Sequence, residues 1–111
     1  MPIKLIVTRR LIASRPSGQK FTVTLGVGAP VALGIGKWSC WVELKGLFDG
    51  GYEPGPDSWQ AVMGAQNCAR QLLELFVECG GRLTDPDTNK PLDLAGFFRE
   101  LSALIKLTGE I

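Results

Sequence analysis

From Ile3 to Ala13 the chain alternates: Ile3, Leu5, Val7 and Leu11 share one parity, while Lys4, Thr8 and Arg10 share the other with Ile6 and Ile12. A two-residue period rich in β-branched residues predicts a strand, somewhat apolar on both sides. Arg15-Pro16-Ser17-Gly18 supplies a turn, since proline presets φ and glycine accepts positive φ. Phe21, Val23, Leu25 and Val27 then alternate with Thr22, Thr24 and Gly26, and the two runs read as an antiparallel hairpin. Gly28 to Gly36 reads as a flexible apolar connection. A third strand follows over Lys37–Lys45, with Trp38, Cys40, Val42 and Leu44 on one side and Ser39, Trp41, Glu43 and Lys45 on the other. Gly46 to Gly55 reads as a loop, punctuated by Gly50-Gly51 and Pro54-Gly55-Pro56.

The period then changes. Asp57 is placed to cap a helix, with Gln60 three residues on as a capping-box variant. Val62, Ala65, Ala69, Leu72, Leu73 and Phe76 form an apolar stripe at 3.6-residue spacing, opposite Gln60, Asn67, Gln71, Glu74 and Glu78. Gly80-Gly81 predicts the stop through a positive-φ cap. A polar loop from Thr84 to Pro91 turns the chain, and Asp93 starts a second helix with Leu94, Phe97, Phe98, Leu101, Leu104 and Ile105 on its apolar face.

Strands come first and helices second, without alternation, which is the order of an α+β fold with an antiparallel sheet. The expectation is one domain over residues 1–111: a three-stranded β-meander over 1–46, a long helix over 57–80 packed on the sheet, and a second, C-terminal helix over 93–107. The long helix is expected across the sheet face that carries Phe21, Val23, Leu25, Trp38, Cys40 and Val42. A length of 111 residues fits one domain, and 45% hydrophobic with 21% charged residues is a globular composition.

The chain has no histidine, which excludes a Ser-His-Asp triad, a Cys-His pair, histidine-ligated zinc and an imidazole switch. Twelve Lys and Arg against eleven Asp and Glu give a formal charge of +1. That lacks the basic excess of a dedicated nucleic-acid binder, so nucleic acid is not the expected partner. The charge is unevenly spread. Residues 1–50 hold seven bases and two acids, a balance of +5, whereas residues 51–111 hold five bases and nine acids, a balance of −4. Such a split suits an anionic partner, pairing of the two halves across a dimer, or ordinary solubility.

Cys40, Cys68 and Cys79 are odd in number and lack C-x-x-C spacing, unlike the even framework of a small oxidised domain. The N-terminus leads into alternation and not into an apolar signal core, and no run approaches a membrane span, so no membrane association and a cytoplasmic location are expected.

The remaining motifs favour folding over chemistry. Gly26-x-Gly28 followed by Pro30 lacks the third glycine and the immediate helix of a dinucleotide loop. Asp85-x-Asp87-x-Asn89 spells the opening of a calcium loop, but Lys90 stands where that motif needs glycine and Gly96 where it needs glutamate. Cys68 is expected mid-helix, Cys79 near a helix C-terminus and Cys40 in the core, none placed to form a reactive thiolate. Glu53, Asp57, Asp49 and Tyr52 gather before the long helix as a rim, with nothing fixing their spacing for acid–base work. No catalytic residue, cofactor or metal ligand set emerges, so the chain is read as a non-enzyme.

Trp41 is the residue that suggests recognition. With Trp38 facing the helix, Trp41 is expected on the other side of the sheet near Ile6, Ile12 and Lys45, an aromatic beside cations as at interface anchors. Trp41, Lys45, Arg9, Arg10 and Tyr52 are the candidate partner-binding residues. Trp59 is expected to pack.

Trp38-x-Cys40, Gly46-Leu47 and Asp57-Ser58-x-Gln60-Ala61, with Gly28-Ala29-Pro30 as a G-x-P element, resemble a family of small bacterial domains of unknown function. Its members pair an N-terminal β-meander with a helix beginning D-S-x-Q-A. The resemblance covers roughly residues 20–78 and implies no activity or catalytic residue. The second helix is longer than the family pattern.

The leading functional expectation is a non-enzymatic protein-binding or inhibitor module of a bacterium or phage, with an immunity or anti-defence protein as one concrete form. The alternatives are a small-ligand-binding domain or minor enzyme with a pocket between sheet and long helix, and a structural homodimer completed through the edge of the first strand.

Overall fold

A computed structural model describes residues 3–98. Strands β1 (Leu5–Ser14), β2 (Lys20–Gly28), β3 (Val31–Gly34), β4 (Lys37–Lys45) and β5 (Phe48–Gly55) precede helix α1 (Ser58–Glu78). The short strand β6 (Arg82–Thr84) and the helix α2 (Leu94–Phe98) follow. The fold is α+β, as the order of periods predicts, and the sheet is antiparallel. It has six strands where the sequence reading has three.

The extra strands correct two expectations. The Gly28–Gly36 connection contains β3, which pairs β4 at Val31↔Ser39 and Ala32↔Trp38. Since β2 pairs the same strand at Thr24↔Lys45 through Val27↔Val42, β2 and β3 run in succession along one edge of β4. The Gly46–Gly55 loop is β5, paired along the other edge from Leu44↔Phe48 to Trp38↔Gly55. Gly36 and Gly46 close the two hairpins at φ +67° and +106°, a backbone that suits glycine. The strands abreast are therefore β6, β1, β2–β3, β4 and β5.

One face of this sheet carries α1. Leu11, Ala13, Val23, Leu25, Val27, Cys40, Val42 and Leu44 are buried there, in cross-strand rows such as Val7–Val27–Val42. The helix meets them with Ala61, Ala65, Ala69 and Leu73. Small residues let the helix sit low, and at Gly55 a side chain would collide with the backbone of Ala61. Asp57 caps α1 as predicted: its carboxylate accepts the Gln60 N–H at 2.7 Å and the Gln60 side-chain amide at 3.1 Å. The end also follows the sequence, with Gly80 at φ +97° and Gly81 N–H donating to the Phe76 carbonyl at 2.9 Å. Phe76 closes that end edge-on against Phe21, with centroids 6.1 Å apart.

α2 covers Leu94–Phe98 of the expected second helix, and the remainder to residue 107, with Leu101, Leu104 and Ile105, lies outside the described residues. Among the described residues no helix is long and apolar enough to cross a membrane.

Candidate functional site: the open face of the sheet

Both helices lie on one side, so the alternate side chains of the same strands point away from them. On β4 these are Ser39, Trp41, Glu43 and Lys45, and the register aligns Lys45 with Thr24 and Thr24 with Arg10. Two strand spacings separate Arg10 from Lys45, about 10 Å. Trp41 pairs across strands with Tyr52. Their rings meet edge to face at a centroid distance of 5.0 Å and an interplanar angle of 70°, the arrangement that the ring quadrupole favours. The Trp41 indole N–H donates to a Glu43 carboxylate oxygen at 2.9 Å. That bond fixes the ring flat along the strand and satisfies its only polar atom.

The floor beneath the indole is built for it. Gly50, at φ +130°, lies where any side chain would strike the six-membered ring of Trp41, and Gly28 lies against its Cβ. A side chain at Gly50 would therefore meet both a steric and a backbone penalty. Leu5 lies against Gly26 nearby. Trp41 is thus half-buried in its own face, whereas Tyr52 is 60% exposed beside it.

Of the five candidate residues, the fold brings Trp41, Tyr52, Lys45 and Arg10 onto the open face. Arg9, one residue from Arg10, points to the helix side. Its guanidinium holds Asp85 at 3.0 Å and stands 5.9 Å from the centroid of the Phe97 ring. Trp41 is expected near Ile6, Ile12 and Lys45; its ring meets Tyr52 and Glu43, because β5 lies on that flank of β4. The register predicts Tyr52 beside Trp41 only once Gly46–Gly55 is read as a strand.

The acidic rim is dispersed. Tyr52 faces out, Asp57 caps α1, and Glu53 turns under the helix toward Cys68. Burial pushes the Cys68 thiol up, and a hydrogen bond and the negative charge of Glu53 push it further in the same direction. Burial alone pushes the Cys40 thiol up; its sulfur lies 3.3 Å from the Gly28 carbonyl. Cys79 is exposed at the helix end. Asp85 uses one oxygen to accept the Asp87 N–H at 2.8 Å and the other for Arg9. The Asp87 N–H lowers its carboxyl below the usual range against some burial, and Arg9 lowers it further. The Asp85–Asn89 segment is a turn held by its own backbone, with Asn89 N–H donating to the Asp85 carbonyl at 2.8 Å.

One further surface escapes the sequence reading, and another lies where that reading allows a pocket, between sheet and long helix. Trp59, expected to pack, is 74% exposed on the first turn of α1, beside Met63. A groove of about 220 Å³ runs between β1, the α1 residues Val62, Gln66 and Ala69, and Phe97 and Phe98. Drug-sized ligands usually occupy pockets of roughly 300–1,000 Å³, so the groove is small for one. Comparison of the chain with family models, with curated proteins and with solved structures returns no match.

Proposed function

We propose that this chain is a non-enzymatic protein-binding module whose open sheet face receives the partner, an inhibitor of the immunity or anti-defence type being one concrete form. The observation that carries this reading is the Trp41–Tyr52 pair on a face covered by neither helix, a face that also carries Arg10 and Lys45. Buried interface centres favour aromatic residues and arginine, with polar groups around them. The four longer strand positions abreast, at about 4.8 Å each and about 30 Å long, span on the order of 600 Å². That is close to the ~800 Å² each partner contributes to an interface of standard size.

The test is capture from a native lysate with the wild-type chain and with a Tyr52→Ala/Lys45→Glu variant of unchanged melting temperature. The wild type should retain one stoichiometric protein and the variant should lose it. No stoichiometric partner, or equal retention by both, would refute the reading.

A further inference from the structure

The two outer edges of the sheet differ. At one, β5 carries Gly50, Gly51 and Pro54, residues that blunt an edge against further pairing. At the other, β6 pairs only Ile12, Ala13 and Ser14 of β1. The outer edge of Leu5–Leu11 has no backbone partner among the described residues. This stretch holds neither glycine nor proline, and Ile6 and Val7 are 54% and 59% exposed. A bulge falls between Leu5 and Val7, but from Val7 to Leu11 the register is regular and the outer backbone groups are open, the kind of edge that accepts another strand.

The groove lies along this same stretch. Its wall includes four consecutive residues, Ile6, Val7, Thr8 and Arg9. Past the bulge, neighbours such as Val7 and Thr8 point to opposite faces, so a cavity that touches both reaches around the strand edge. A strand added there would send alternate side chains toward the apolar wall formed with Val62 and Phe97. We propose that the outer edge of Leu5–Leu11 accepts an extended segment of a partner protein as an added strand, with apolar side chains entering the groove and acidic ones meeting Arg10.

Charge selects that occupant. Arg9 and Arg10 flank the edge on opposite faces; Arg9 is occupied by Asp85, while Arg10 makes no ion pair among the described residues. A second copy of this chain would bring the same cations to the seam, and like charges across strands oppose pairing. An acidic segment gains there what a second copy loses. In strand addition the main chain supplies affinity and alternate side chains supply specificity. Arg10 borders both this edge and the Trp41–Tyr52 face, but the edge amides and the groove lie apart from Tyr52 and Lys45, so either proposal can fail alone.

Amide hydrogen exchange on the full chain tests it, with two eight-residue peptides at millimolar concentration: alternating Val and Glu, and alternating Val and Lys. In the isolated monomer the Leu5–Leu11 amides that point away from β2 should exchange fast. The Val–Glu peptide should slow them about tenfold or more and the Val–Lys peptide should not; Arg10→Glu, checked for an unchanged melting temperature, should reverse that preference. Protection already present in the dilute monomer would mean the chain's own residues hold the edge, and protection that grows with protein concentration would mean a second copy does. Either outcome overturns the proposal, as does a failure of the Val–Glu peptide to protect, or equal protection by both peptides.

Discussion

The two faces of the sheet are made from alternate residues of the same strands, and their chemistry diverges. Leu11, Val23, Val42 and Leu44 lie on the covered face and are fully buried. The helix above supplies alanines, so aliphatic side chains of the sheet fill the space between the layers. The open face carries threonines, Arg10, Lys45 and one aromatic pair, with glycines beneath it. On the covered side glycine lets a helix approach, at Gly55; on the open side it lets a side chain lie flat, at Gly50. The first face is organised for packing and the second for presenting a shaped surface.

That contrast is best broken at its strongest point. Leu73→Ala removes a fully buried side chain between α1 and the sheet and should cost about 2–5 kcal/mol in a urea titration, because a cavity adds to the lost transfer energy. Next comes Tyr52→Ala on the open face. It should change folding stability by no more than about 1 kcal/mol, since one stacked contact on an exposed ring is lost. The same change should weaken the partner complex by about 2 kcal/mol in calorimetry, the scale of an interface hot spot. Stability and binding thus respond to opposite faces.

Which parts of this were legible in the sequence follows from how each element is held. β1, β2 and β4 alternate because each has one buried face, and α1 announces itself through its stripe and its Asp57–Gln60 cap. β3 and β5 do not alternate. β3 is exposed along its length, and β5 is built from residues of low strand propensity. Its glycines exist for neighbours, Gly50 for Trp41 and Gly55 for Ala61, so the features that complete the fold are those that disguise the strand. The open-face site was half legible: alternation placed Trp41 opposite Trp38, but Tyr52 joins it only through β5. Alternation also separates Arg9 from Arg10, two candidates adjacent in sequence that face opposite sides of the sheet. Trp59, in the first turn of a long helix, reads as a packing residue, whereas the helix lies low on its alanines and leaves that position outward.

Smaller effects sharpen the picture. Asp57→Ala should cost about 1 kcal/mol through loss of the α1 cap, without altering partner binding. Of the three thiols in the native chain, Cys79 should react with an alkylating reagent fast and Cys40 and Cys68 slowly, because burial holds the latter two protonated near neutral pH. Three equal rates in a mass-spectrometric time course would contradict the buried placement. The smallest effect lies in acid. The Asp85 carboxyl titrates below its ordinary value, so its contribution is present above that value and is lost as pH falls through the lowered one. Asp85→Asn should remove that part of the acid dependence in melting curves, lowering stability slightly at neutral pH and leaving it nearly unchanged below the lowered value.

Hydroxyl-radical footprinting of the captured complex locates the partner, because the chain carries accessible probes on both sides. Tyr52 and Trp41 report on the open face, and Trp59 and Met63 on the outer surface of α1. Protection of Tyr52 and Trp41, with Trp59 and Met63 oxidised as in the free chain, is the predicted result. Protection of Trp59 and Met63 with Tyr52 unchanged would place the partner on the helix and contradict the assignment of the open sheet face.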